Sequence, residues 1–201
     1  MKPLFRQLAW SGFAWACGVS AACAQDSPPE GPRVPTMVTY RILNQQSMVP
    51  ANFTVVFAPG GTAARISFQG NAGYMLVDTA RHSLTMVMEQ PKMSFQIPTP
   101  ALFQPYFDWR GNLNLTAEGP GAAAGYACRF WRADSEKGRG RICFSADGVP
   151  LRIDAVSNKG ERTDVEAISL TRIAYDPAMF TAPADHPALQ LNGLQFSPFG
   201  G

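Results

Sequence analysis

About ten short stretches in which apolar and polar side chains alternate, each closed by a turn signal, leave this chain few folds to choose from. They fall at residues 37–43, 53–58, 64–69, 74–78, 83–88, 113–117, 126–132, 139–145, 149–156 and 165–175. In the first, Val38, Tyr40 and Ile42 stand on one side, with Thr39 and Arg41 on the other. Phe53, Val55 and Phe57 repeat the pattern, as do Ile66 with Phe68, then Leu84, Met86 and Met88, and finally Val149, Leu151 and Ile153. A helix would space its apolar positions three and four apart; a period of two belongs to a strand buried on one face and wet on the other. Pro59-Gly60-Gly61, Gly70-Asn71-Ala72-Gly73, Asp147-Gly148 and Asn158-Lys159-Gly160 supply the turns. The fold class is therefore mainly β, an antiparallel meander. A sheet this wide curls or splits instead of lying flat.

The N-terminus fixes the expected compartment. Lys2 and Arg6 precede an apolar run over residues 8–19, and Ala22-Cys23-Ala24 forms a small-residue cleavage signal, together the pattern of a secretory signal peptide over residues 1–24. Lipid anchoring at Cys23 is the disfavoured alternative, because Ser20 stands where a lipoprotein signal carries Leu. The apolar run is about a dozen residues, short of the ~20 that a transmembrane helix needs. Cleavage after Ala24 removes two of the 17 Lys and Arg residues and none of the 15 Asp and Glu, leaving the mature chain formally neutral. Bulk charge thus points to no nucleic acid, and membrane contact is at most peripheral. Residues 25–36 (QDSPPEGPRVPT) read as a Pro-rich lead-in, 37–183 as a single β domain and 184–201 as a C-terminal tail.

Export into an oxidising space makes Cys128 and Cys143 a disulfide candidate. Folding residues 126–132 and 139–145 about the Ser135-Glu136 midpoint places the two cysteines directly opposite each other. A bridge closing about 15 residues would stabilise the hairpin by about 3 kcal/mol on the loop-entropy account. A redox or metal role is disfavoured, since C-x-x-C is absent and His82 and His186 lie far off in sequence.

The segments VTYRI, ARISF, GYMLVDTARHSLTMVM, CRFW followed by GRICFSADGVPLRIDA, and YDPAMFTAP, spread over residues 36–183, resemble exported bacterial proteins that share the fold of the periplasmic lipoprotein carrier LolA and its receptor LolB. The sharpest pieces are residues 74–78 and 84–88, then Cys128, Trp131, Cys143 and the run Asp147-Gly148-Val149-Pro150-Leu151-Arg152. The resemblance implies a half-open antiparallel barrel with helical segments over an apolar concave face that holds acyl chains. The chain differs from the carriers in its low helical content and its cysteine hairpin.

The alternating faces nominate a ligand-binding surface made of Tyr40, Ile42, Phe53, Val55, Phe57, Ile66, Phe68, Leu76, Met86 and Met88. Phe103 and Phe107, in the aromatic stretch 100–111, are expected to cover it. Such a surface takes an apolar small molecule or a lipid acyl chain, with an envelope protein as a further partner. No G-x-S-x-G, H-E-x-x-H, Walker loop or G-x-G-x-x-G occurs, so the expected function is non-enzymatic binding or carriage, without cofactor or metal. Two other functions compete. One is a structural or interaction module with a self-filled barrel, acting through an edge strand or residues 189–201. The other is a copper-binding protein using Met75, Met86, Met88 and Met93; because no His or Cys joins them, these methionines read first as core or cavity lining.

Overall fold

The computed structural model describes residues 27–43, 52–70, 73–98, 113–136 and 138–190. Twelve strands form one sheet. They are β1 (Thr36–Ile42), β2 (Asn52–Phe57), β3 (Ala63–Phe68), β4 (Gly73–Asp78), β5 (Ser83–Met88), β6 (Met93–Pro98), β7 (Asn114–Ala123), β8 (Tyr126–Ser135), β9 (Gly138–Ser145), β10 (Pro150–Ser157), β11 (Arg162–Arg172) and β12 (Ala188–Gln190). The order is β12-β6-β5-β4-β3-β2-β1-β11-β10-β9-β8-β7, antiparallel throughout except where β12 runs parallel to β6. Its two edges do not meet, giving the half-open barrel anticipated above. β1 takes β2 on one side and β11 on the other, so it joins two meanders. The chain passes from β6 to β7, that is, from one flank to the other, through residues 99–112, which lie outside the described residues along with Phe103 and Phe107.

Two strands escape a reading by pattern. β6, MSFQIP, follows Pro91 closely and ends on Pro98, and prolines read as strand breakers. Pro91 sits in the β5–β6 turn and Pro98 ends the strand, both positions where no ladder donor is needed. β12 is three residues of the expected tail, and its approach is fixed by Ser94 N–H donating to the Pro187 carbonyl at 3.0 Å. Just before it, Lys92 Nζ meets Asp185 at 2.5 Å and the buried His186 ring meets the same carboxylate at 2.9 Å. The Lys92 hydrogen bond, helped by His186, holds the Asp185 carboxyl low, at about 2.

Cys128 and Cys143 are bonded, with Cα atoms 5.6 Å apart. Their register differs from the expected one. Ser135 faces Gly138, so Cys128 lies opposite Ser145 and Cys143 opposite Phe130. The bridge is diagonal. Moving the turn by one residue slides the pairing by two, and an even slide keeps both sulfurs on one face. Both cysteines belong to the main apolar core.

The lead-in is packed against the sheet. Gly31 and Pro32 are buried. The Gly60 amide donates to the Pro32 carbonyl at 2.6 Å, and the Arg33 amide donates to that of Asp147 at 3.1 Å. This strap ties the β2–β3 turn to the β9–β10 turn. Asp147 also pairs with Arg172 and accepts from Ser145 Oγ. At Gly148, φ is +85° and a Cβ would stand 2.2 Å from the Gly31 carbonyl oxygen, so only glycine lets the strap approach.

Staple and strap should both register in stability. Replacing Cys128 and Cys143 together by Ala should lower it by about 2–5 kcal/mol, and the unfolded, unreduced wild type should expose neither of these thiols to a labelling reagent. Gly148→Val should cost at least ~2 kcal/mol in chemical denaturation, since it adds left-handed strain to a backbone overlap.

Candidate functional site

The strand register builds one face of the sheet row by row. Nearest the strap, Thr36, Phe57, Ala64, Val77 and Leu84 stand in line, all buried. The next row runs Val38, Val55, Ile66, Met75, Met86 and Phe95. Its first four are buried; Met86 and Phe95 are half-buried, and Leu189 of β12, opposite Phe95, is exposed. A third row begins at Tyr40 and continues through Phe53 and Phe68. Gly73, opposite Met88, supplies no side chain there, and Met88 in turn faces Met93. Phe53, Phe68, Met88 and Met93 are all half-buried. The apolar surface therefore runs on past the packed core into a strip that meets solvent, away from the strap and toward β5 and β6.

Tyr40 anchors that strip. Its ring stacks on Phe53 with centroids 5.3 Å apart, and Phe53 lies 6.0 Å from Phe68. The Tyr40 hydroxyl donates to the Pro150 carbonyl at 2.7 Å, reaching across β11 to β10. Burial pushes the phenol far above its ordinary pKa, which keeps it a neutral donor at any physiological pH. A Tyr whose one polar atom is satisfied by backbone adds rigidity without adding a hydrogen-bonding group for a guest.

The structure brings Tyr40, Val55, Phe57 and Ile66 into one core, with Ile42, Phe53, Phe68 and Met86 packed against it. Met88 shares their face. Leu76 does not: it packs on the reverse face with Tyr74 and Val87. Strand β4, GYMLVD, is apolar on both sides, so alternation alone cannot orient it. Pairing of Met75 with Ile66 does. Met75, Met93 and Phe95 join the face instead, and the MSFQI period of β6 is the signal that could have found the last two. The methionines pair as Met75 with Met86 and Met88 with Met93. Asp78 accepts from the Arg81 amide at 2.9 Å and so caps the turn after β4, and Arg152 lies 3.4 Å from Asp164.

No protein-family model and no curated protein matches the chain in sequence. Solved structures do resemble it. An uncharacterised conserved protein from Thermus thermophilus aligns at a TM-score of 0.53 and 14% identity, over 79% of this chain and 91% of that one. The MucA/MucB complex of Pseudomonas aeruginosa aligns at 0.48 and 13%, over 78% of this chain and 58% of that one. A LolA superfamily protein from Nitrosomonas europaea aligns at 0.40 and 9%, over 75% and 91%. The first likeness speaks to the fold alone, and nothing is argued from the other two. In class, the molecule is a single open, curled β-sheet, antiparallel but for one short edge pairing, with a broad apolar face and a disulfide of the kind usual in proteins that mature outside the reducing cytosol.

Tyr40→Phe should lower stability by about 1–2 kcal/mol, because the Pro150 carbonyl loses its donor in a dry site. Denaturant titration would check this, and an unchanged midpoint would mean that water replaces the hydroxyl.

Proposed function

We propose that the half-buried strip binds the acyl chain of a lipid or another apolar guest, and that the protein is a non-enzymatic binding or carrier component of the periplasm, exported by a signal peptide cleaved near Ala24. The burial gradient carries this reading: within single rows, buried Val55, Ile66 and Met75 give way to half-buried Met86 and Phe95, and buried Tyr40 to half-buried Phe53 and Phe68. A face that served only as core would be closed along its length. Rings and thioethers suit a guest of variable shape, because thioethers are polarizable and adapt their rotamers. Each methylene that a guest buries contributes about 0.8 kcal/mol before ordering costs, so a long chain gains affinity without a directed contact.

Met86→Glu should abolish binding of a fluorescent fatty-acid probe, whereas Arg41→Glu, on the exposed face of β1, should leave it intact. Met86 is the informative choice because it is half-buried, while a charge at Phe57 would be set in the closed core. A wild-type protein that binds no acyl probe would end this reading and favour the interaction module with a self-filled barrel.

A further inference from the structure

Four of the chain's eight methionines meet on one patch of three neighbouring strands. Met75 of β4 faces Met86 of β5, and Met88 of β5 faces Met93 of β6. Met86 and Met88 are two residues apart on β5, so all four side chains leave the same side of the sheet. Directly opposed residues of an antiparallel pair have Cβ atoms about 5 Å apart, and diagonal neighbours stand about 7–8 Å apart. A thioether carried on three rotatable bonds spans such gaps, so the sulfurs of Met86, Met88 and Met93 can converge on one point. Space for that point exists. Gly73, opposite Met88, adds no side chain, and a Cβ there would stand 2.4 Å from the Val87 carbonyl oxygen, so the position beside Met88 stays clear.

Core filling alone does not call for sulfur at four adjoining positions. The row that contains Met75 and Met86 is built from Val38, Val55 and Ile66 on β1 to β3, where the face is closed. Thioethers replace branched side chains where the face meets solvent: Met86, Met88 and Met93 are half-buried, with the buried Met75 behind them. The donor set is also exclusive. Among the described residues no group of His, Cys, Asp or Glu is placed to hold a metal. The His186 imidazole meets Asp185 at 2.9 Å beside Ser94, which pairs with Val87 of the reverse face. Ions that need oxygen, nitrogen or thiolate ligands find none in this patch, whereas thioethers select Cu(I).

We propose that Met86, Met88 and Met93, with Met75 closing the site from the core side, bind Cu(I). The site goes beyond the acyl-binding reading and does not rest on it, although both use Met86 and Met88. Neutral donors leave the ion's single charge uncompensated, which suits the half-buried border of the face and not its closed interior.

Anaerobic titration of the mature chain against the Cu(I)–bicinchoninate complex tests the site. Wild type should withdraw a single Cu(I) per chain, take up Ag(I) in the same way and leave Zn(II) in solution. The triple variant Met86→Leu/Met88→Leu/Met93→Leu should lose Cu(I) uptake with an unchanged circular dichroism spectrum, because leucine keeps the volume and removes the sulfur. Met88→Leu alone, the gentler change, should weaken uptake by about tenfold. Met37→Leu, outside the patch, should leave uptake as it is. The fluorescent fatty-acid probe should still bind the triple variant, since leucine is as apolar as methionine, so copper loss with probe binding retained separates the two readings. No Cu(I) uptake by wild type, uptake that survives the triple variant, or equal uptake of Zn(II) overturns the site and returns the methionines to cavity lining. None of those results touches the acyl reading, which falls only if wild type binds no acyl probe.

Discussion

Both edges of β1 are taken, and the rest of the sheet depends on that. Thr36–Ile42 supplies the only ladder among the described residues that ties the β2–β6 meander to the β8–β11 meander, pairing with β2 and β11 along almost its whole length. Val38 at its centre is fully buried. Tyr40 adds a second tie by reaching past β11 to the Pro150 carbonyl, next to the register shift that lets β10 bend. The bulge between Thr39 and Tyr40 sharpens the curl at the same point, since an extra residue on one strand increases local twist. Curvature is therefore concentrated where the two meanders meet. Without β1 the two meanders would be separate, smaller sheets.

What can be read from the sequence follows from how one-sided each strand is. β1 and β2 alternate cleanly, and their orientation is plain from Tyr40, Ile42, Phe53 and Val55. β4 is apolar on both faces, so the pattern assigns Leu76 to the wrong side and passes over Met75; orientation there is a property of the pairing partner. β6 is hidden by flanking prolines that are harmless in its turn and at its end. The cysteine hairpin is legible in its bond but not in its register, which is off by one turn position, because local sequence does not distinguish a two-residue turn from a longer polar one.

Edges are the hazard of an unclosed sheet, and each is blunted differently. β7 carries Gly119, Pro120 and Gly121 along with a register shift between Ala117 and Gly119, features that spoil a template for another strand. β6 is covered by β12 for only three residues. Exposed apolar side chains elsewhere are scattered, as Val34, Met37 and Tyr175, and need no special reading.

The two flanks also differ in how they are held. On the β8–β9 side the Cys128–Cys143 bond and the buried Trp131, Ile142 and Phe144 make a covalently stapled wall. On the β5–β6 side the cover is a three-residue parallel pairing, the buried His186 and the Lys92–Asp185 contact, whose partners are both well exposed and add little in water. Local opening is easiest where buried apolar contacts are fewest. Opening is therefore easiest beside the β6–β12 pairing, where Met88, Met93 and Phe95 are half-buried, and hardest along the stapled β8–β9 wall. That division follows from where the chain places its cysteine bridge and its shortest strand.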